Sequence, residues 1–457
     1  MSGNDQAVIS QPTRVPLLDR PGWPLAALFM GFPLWYLLGL SVVAFYVATL
    51  PMAAYLYRRR EQLVLPRGFG LWFLFLLAVG LSAFMLPVNA PFAVPGFGLP
   101  GRVVTYVFMV AWYLSATVVL LYIVNIREAE LSFSRVSRWL AFMFLVTTVG
   151  GLVGLLMPTI DTVGFAARAL PSAVVDIPFV QDLVKIDVAD QQTIVGSAEV
   201  RPKAPFQYAN SWGANLSIFL PFFVYSWLIK GATWQRIVSP FILAAAVAGI
   251  VFSLNRTLWG ALAVVALFGL FQVVRLRPKV LPAVIAGVAV VGVLFLASGL
   301  GSVINERLAN PHSDDRRSEL AGKTWESVTQ GSPILGFGNT RQVQGSFASI
   351  AGGDTPECPS CGVPPLGTQG HLWLVLFTTG LIGLALFACF FFYRFARHIR
   401  SRDLPTILGL VVLIFFLFEL PFYDHLGPPL FTVMLCLGLM WRRRQEEQGP
   451  STVGAAR

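Results

Sequence analysis

VVTYVFMVAWYLSATVVLLYIVNI, residues 103–126, carries no Asp, Glu, Lys or Arg along its whole length and is bounded by Arg102 and Arg127. At 1.5 Å per residue a helix over this stretch reaches about 36 Å, enough to cross the roughly 30 Å hydrocarbon core of a bilayer. Similar apolar blocks recur at approximately 24–39, 40–57, 69–88, 139–158, 212–230, 237–254, 257–274, 280–300, 371–392, 404–421 and 428–441. Charged or Pro/Gly-rich breaks separate them. Hydrophobic residues make up 56% of the 457 and charged residues only 12%, more apolar surface than a soluble core could hide. The fold class that follows is an all-α membrane protein of about 12 transmembrane helices, with lipid as its solvent.

The basic residues orient this array. Arg58, Arg59 and Arg60 follow the second block, which places that loop, and hence the N-terminus, on the cytoplasmic side. Alternation then fixes every later loop. Loops assigned inside hold 22 of the 33 Lys and Arg and 8 of the 23 Asp and Glu, whereas the outside holds 11 and 15. The net charge of +10 is therefore a consequence of topology and does not signal nucleic-acid binding. No inside loop is long enough to fold as a nucleic-acid-binding domain. No cleavable signal pattern precedes the first block, which reads as an uncleaved anchor.

The expected organisation is a cytoplasmic tail over 1–23, helices over 24–158, an extracytoplasmic loop over 159–211 and helices over 212–300. A second large extracytoplasmic loop over 301–370, helices over 371–441 and a cytoplasmic tail over 442–457 complete it. Long loops in a compact protein are where chemistry concentrates. The first alternates apolar and acidic residues, as in VVDIP at 174–178, and is expected to fold against the membrane surface. In the second, RSELAGKTWESVTQ at 317–330 puts Leu320, Trp325 and Val328 near one helical face after Ser313-Asp314-Asp315. That helix closes at GSPILGFGN, and its bland reading is a surface helix lying on the bilayer. Cys358 and Cys361 form a C-x-x-C there, compatible with a disulfide or with two free thiols. Zinc would need more ligands than that pair, so neither a metal nor a cofactor is expected.

Polar residues at the outer boundary carry the functional argument. Arg201 and Lys203 precede PFQYANSWGAN at 205–215, which includes Asn210, and Arg256 lies in SLNRTLWG at 253–260, on a tight turn between two apolar blocks. A guanidinium at such a depth needs an anion or water as partner. A lipid headgroup would serve, as would a substrate phosphate, which the guanidinium fork suits. His371 opens the tenth block in GTQGHLWLVLFTTGLIGL. An interfacial histidine can simply bond a loop, but beside Arg201 and Arg256 it is also a candidate general base. Glu419, Asp424 and His425 are further ionisable groups at the same boundary.

These blocks together resemble the O-antigen ligase and O-antigen polymerase family of bacterial membrane glycosyltransferases, from about Arg201 to Gly383. Arg201 with PFQYANSWGANLSIFLPF looks like the family's arginine before an aromatic and Asn-containing helix start. NRTLWGALAVV looks like its Arg-Ser/Thr helix start. RSELAGKTWESVTQGSPILGFGN looks like its Arg-led, Trp-containing helix closed by a Pro-x-x-Gly-x-Gly turn, and GHLWLVLFTTGLIGL like its His-led helix.

The resemblance implies a GT-C-like helical architecture in a bacterial inner membrane, with both termini cytoplasmic. The implied reaction moves a glycan from a polyprenyl-diphosphate-linked oligosaccharide donor to a hydroxyl on a glycan, lipid or protein acceptor, outside the cytoplasm and without metal. Arg201 and Arg256 would hold the diphosphate, with Asn210, Arg317 and Gln369 in the substrate-binding set, and His371 would activate the acceptor oxygen. One departure stands out: His371 is two residues closer to Gly380 than the family spacing, so an ungapped match puts Gln369 at the histidine position. Glutamine is no base, and the reaction would then rest on the arginines or on Asp354 or Glu357. Different classes with the same span count are a lipid-linked glycan flippase, an exporter component and a non-catalytic scaffold. A transporter of this size ordinarily shows two related halves with polar or broken helices at mid-membrane, which the sequence lacks.

Overall fold

The computed structural model describes residues 21–93, 98–171, 180–181, 184–193, 198–276, 278–282, 285–286, 312–341 and 366–447. The first half of the chain forms helices α1 (Trp23–Met30), α2 (Phe32–Leu37), α3 (Val43–Arg58), α4 (Phe69–Leu81), α5 (Gly98–Val124) and α6 (Phe133–Leu156). Two antiparallel strand pairs follow: β1 (Asp161–Val163) with β2 (Lys185–Asp187), and β3 (Ala189–Thr193) with β4 (Ala198–Pro202). The remaining helices are α7 (Ala209–Phe223), α8 (Thr233–Phe252), α9 (Arg256–Leu276), α10 (His312–Gly331), α11 (His371–His398), α12 (Leu404–Glu419) and α13 (Pro428–Glu447). Cys358, Cys361, Asp354 and Glu357 lie outside the described residues, as does most of the expected span 280–300.

Among the described residues six helices are long and apolar enough to cross a membrane: α5, α6, α7 with its π-helical continuation to Ile229, α8, α9 and α11. The segments Phe69–Met85 and Leu404–Glu419 are apolar but shorter. The chain is thus a largely helical protein with helices suited to a membrane, and the span count from helix length is lower than the count of apolar blocks. The clearest difference lies at the start. Where one span is expected over 24–39, the chain forms two helices of 8 and 6 residues that meet at Gly31. Pro33 stands in the first turn of α2, where its missing N–H costs no helical bond and its ring favours a restart. The indole of Trp35 donates to Ala27 O (3.0 Å) across this break.

Burial separates the helices into layers. In α7 72% of the apolar window is buried inside the protein, against 22% in α8 and 17% in α9, so α8 and α9 turn most of their surface to lipid. The core is aromatic: Trp72, Phe75, Tyr113, Phe387, Phe390 and Phe391 are buried together between α4, α5 and α11. Trp72 Nε1 donates to Thr117 Oγ1 (2.8 Å), satisfying the one polar atom that this packing encloses on the indole.

Helix α11 is interrupted at Gly380, which adopts φ 68 and ψ −170, so one membrane-length helix is broken where the sequence reading expects none. The GSPILGFGN turn fills the interruption. Phe337 N donates to Phe377 O (2.8 Å), Gly338 N to Thr378 O (2.9 Å), and Leu381 N returns a bond to Pro333 O (2.8 Å). Backbone groups released by a broken helix have no water in lipid, and the turn supplies their partners. The turn needs Gly336 and Gly338 at φ 64 and 80, where a side chain would be strained. Helix α10 does not lie free on the bilayer: Leu320 and Val328 pack with Phe337, Leu376 and Phe377, and Ser327 Oγ donates to Pro91 O (2.7 Å). Its buried face also includes Thr324, whereas Trp325, expected on that face, is 49% exposed. The helix begins at His312, so Ser313-Asp314-Asp315 lies within its first turn.

Candidate functional site

Strand β4 delivers Arg201, opposite Asp190 in the β3–β4 register, into a buried position. Its Nε donates to Ser253 O (2.8 Å) and one terminal nitrogen to Asn210 Oδ1 (3.1 Å). One guanidinium therefore ties the end of α8 to the first turn of α7. Ser253 and Asn255 flank Leu254, whose φ of 53 lets α8 end and α9 begin within three residues. A non-glycine residue in the left-handed region is uncommon and is held here by burial of its side chain. Arg256 is the first residue of α9 and is half-buried at this same turn. Lys203 is engaged differently, bonded to Asp187 (2.7 Å) and Asp190 (2.6 Å).

The connection between α12 and α13, LPFYDHLG at 420–427, is the hub around which the other parts gather. Tyr423 is buried; its hydroxyl donates to Asn255 Oδ1 and accepts from Leu258 N (3.1 Å) in the first turn of α9. Its carbonyl accepts from His371 N (2.7 Å), and Leu420 O accepts from Leu372 N (3.0 Å). The open amides that begin α11 are thereby capped by backbone carbonyls, since Gly370 offers no side chain to do so. One terminal nitrogen of Arg317 donates to Phe422 O (3.3 Å). The starts of α7, α9 and α11, the α12–α13 turn and helix α10 thus meet at one end of the bundle.

At this hub His371 Nδ1 lies 3.1 Å from Asp424 Oδ1, and Leu426 N also donates to that oxygen (2.8 Å). The His371 side chain is fully buried, with Tyr113 and Phe387 against its ring, while Asp424 is 31% exposed. Behind the pair, Glu419 accepts from Ser217 Oγ (3.1 Å), and its second oxygen stands 3.6 Å from His425 Nε2. Burial lowers the affinity of His425 for a proton, and neighbouring His371 lowers it further, so His425 is neutral. Burial likewise raises the Tyr423 hydroxyl and keeps it a neutral donor.

Positive charge is concentrated here. Burial lowers the Arg201 pKa; Tyr423 and Asp190 oppose that, and the like charge of Arg317 adds to it. Arg201 and Arg317 thus sense each other's charge, and Arg256 stands on the adjoining turn.

The structure bonds Arg317 and His371 to the α12–α13 turn directly, sets Arg256 next to Asn255, which bonds Tyr423, and ties Arg201 and Asn210 to Ser253 two residues before Asn255. Gln369 faces elsewhere: it is buried, and its Nε2 donates to Thr324 Oγ1 (3.2 Å) of α10. It fastens α10 to the start of α11, two residues from His371. Asp424 stood among the further ionisable groups in the sequence, but Tyr423, Ser253 and Thr324 did not stand out. The legible signal was that 419–425 packs Glu, Tyr, Asp and His into one short connection between apolar blocks. No family model, no characterised protein and no solved structure matches the chain.

Proposed function

We propose that this protein is a membrane glycosyltransferase that moves a glycan from a polyprenyl-diphosphate-linked donor to a hydroxyl acceptor at the extracytoplasmic face. The observation that supports it most is the joint placement of three arginines and a hydrogen-bonded His–Asp pair around one turn. Arg201, Arg256 and Arg317 would bind the donor diphosphate, and the charge that grows on its leaving oxygen would be met by positioned guanidinium donors. The His371–Asp424 pair is placed to take the proton of the incoming hydroxyl. Asn210 and Ser253 hold Arg201 in its orientation, and Tyr423 joins the arginine side to the His–Asp side. The finer architecture belongs to the same proposal: about twelve spans of GT-C-like arrangement, both termini cytoplasmic, in a bacterial inner membrane. The polyprenyl tail would lie in lipid, and no metal takes part in the proposed chemistry.

The test is glycan assembly in a strain lacking the chromosomal copy, complemented at matched membrane expression with wild type, Arg201→Lys, Arg201→Ala and Arg256→Ala. Loss of about 100-fold or more in product, with accumulation of the lipid-linked precursor on the extracytoplasmic side, is expected for each. Lysine keeps the charge but cannot bond Ser253 and Asn210 together, so Arg201→Lys should fall with Arg201→Ala. Precursor accumulating on the cytoplasmic side instead would favour a lipid-linked glycan flippase. Full activity in all arginine variants would leave a scaffold as the better description.

A further inference from the structure

Beyond the pairing of His371 with Asp424, the two residues face different surroundings. The imidazole is fully buried: Nδ1 is occupied by Asp424, and Nε2 is enclosed without a hydrogen-bond partner, on the side of Tyr113, Phe387 and His425. No acceptor can reach Nε2 without parting that aromatic packing. Asp424 is partly exposed, and both of its hydrogen bonds, from His371 and Leu426, fall on Oδ1. Oδ2 carries none.

Asp424 also lines a cleft between the first turn of α7, α5 and the start of α13. Its walls include Trp112 and Phe206, and Gln207, Tyr208 and Ser211 are half-buried along it. The cleft is small, about 60 Å³, so it suits one edge of a sugar ring, whose C–H groups can lie on the aromatic faces beside Ser211 and Asp424. The Arg201–Asn210 bond lies in the same first turn of α7 as Ser211, so the cleft adjoins the arginine side of the hub.

We infer that the cleft receives the saccharide end of the acceptor and that Asp424, rather than His371, is the catalytic residue that takes its proton, His371 acting as a positioning residue. This rests on the transferase reading above. The acceptor oxygen attacks the anomeric carbon of the donor glycan, forming the new C–O bond as the anomeric carbon–oxygen bond to the diphosphate breaks. The electron pair of that bond leaves with the diphosphate oxygen, and the acceptor proton passes to Asp424 Oδ2. His371 donates from Nδ1 to Oδ1 and fixes the carboxylate plane, while the Leu426 amide holds the same oxygen from the loop.

The experiment uses the full-length protein purified into lipid nanodiscs, with the lipid-linked glycan fraction extracted from the deletion strain and that strain's total membrane lipid, titrated, as acceptor source. Release of polyprenyl diphosphate and formation of coupled glycan are both followed, at equal folded protein by size exclusion. Asp424→Asn should lower kcat by about 100-fold or more, the scale of a lost general base. His371→Asn retains a donor for Oδ1 and should recover at least ~10-fold over His371→Ala, a rescue that a histidine acting as the base itself would not allow. Ser211→Phe, which narrows the cleft and leaves the Asp424–His371 bond in place, should raise the apparent KM for acceptor with kcat little changed. Asp424→Asn keeping near-wild-type kcat, or His371→Asn no better than His371→Ala, overturns the assignment. If Asp424→Asn does not fold, an unchanged acceptor KM in Ser211→Phe overturns it instead. Arg201→Lys is run in parallel: its loss of turnover with an active Asp424→Asn would sink only this inference, whereas no release of polyprenyl diphosphate by the wild-type protein would sink the transferase reading with it.

Discussion

Gly336→Ala should destabilise the protein by about 3–5 kcal/mol, although the change adds one methyl group. Gly336 has a φ of 64, a conformation that costs a non-glycine residue roughly 1–2 kcal/mol. A Cβ at this position would stand 2.6 Å from both Gly380 N and Phe377 O, which are backbone atoms and cannot rotate away. Relief requires the turn to back out of the break in α11, stretching the bonds Phe337 N to Phe377 O, Gly338 N to Thr378 O and Leu381 N to Pro333 O. Each lost bond contributes about 1 kcal/mol, and more where the freed group stays buried. For a chain of this size, extrapolating from smaller domains, the sum corresponds to a fall in Tm of roughly 3–5 °C. Thermal unfolding in nanodiscs, followed by tryptophan fluorescence, reads it. Gly336→Asn separates the two causes, because asparagine tolerates the left-handed region but brings the same Cβ. Both variants should fall. A Gly336→Ala protein melting within a degree of wild type would refute the argument, and Asn alone matching wild type would leave the φ as its only valid part.

Three other outcomes follow from the same geometry. Val328→Ala, on the buried face of α10 against Phe337 and Phe377, should cost about 1–2 kcal/mol, whereas Trp325→Ala, half exposed, should cost less than half as much; thermal unfolding of the pair checks which face is buried. Tyr423→Phe removes the hydroxyl shared by Asn255 and Leu258 N and should reduce glycan transfer at least ~10-fold under the proposed function, through loosening of the α9 start that carries Arg256; the transfer assay at matched expression measures this. Asp403 caps α12: burial raises its pKa, but bonds from the Ser401 hydroxyl and from Thr406 N (3.0 Å) outweigh burial and hold it below the usual carboxylate range. A depressed carboxylate stabilises the fold above its unfolded pKa and loses that contribution as pH falls through its folded value. Asp403→Ala should therefore lower Tm at pH 7, by an effect on the scale of about 1 kcal/mol, and the gap to wild type should narrow as pH falls from the ordinary aspartate range through the depressed value of Asp403.

How much of this was readable in the chain differs from part to part. Apolar blocks such as 103–126 mark helices because a span in lipid must be long, uncharged and internally hydrogen-bonded, conditions local enough to be written in a run of residues. The same rule reads a single helix at 24–39, where hydropathy is continuous but the chain forms two short helices. Helical periodicity placed Leu320 and Val328 inward, yet it also placed Trp325 there. A wheel fixes which residues share a face to within a turn, while the partner surface of Phe337 and Phe377 decides which part of that arc is covered.

The site follows the same division. The sequence marks Arg201 and Arg256 by the desolvation cost of charged groups at the edge of apolar blocks, His371 by its place beside them, and Arg317 through the family resemblance. It could not say that Arg201 would bond Ser253 and Asn210, that Gln369 would turn toward Thr324, or that Asp424 would pair with His371 across 53 residues. Those contacts depend on which helix ends the fold gathers at one place, and they hold through directional bonds between residues distant in the chain. Composition and periodicity thus determined a helical membrane protein and its ionisable residues. Only the packing of α7, α9 and α11 against the α12–α13 turn decided which of those residues act together, because hydropathy constrains depth in the bilayer and says nothing about neighbours within it.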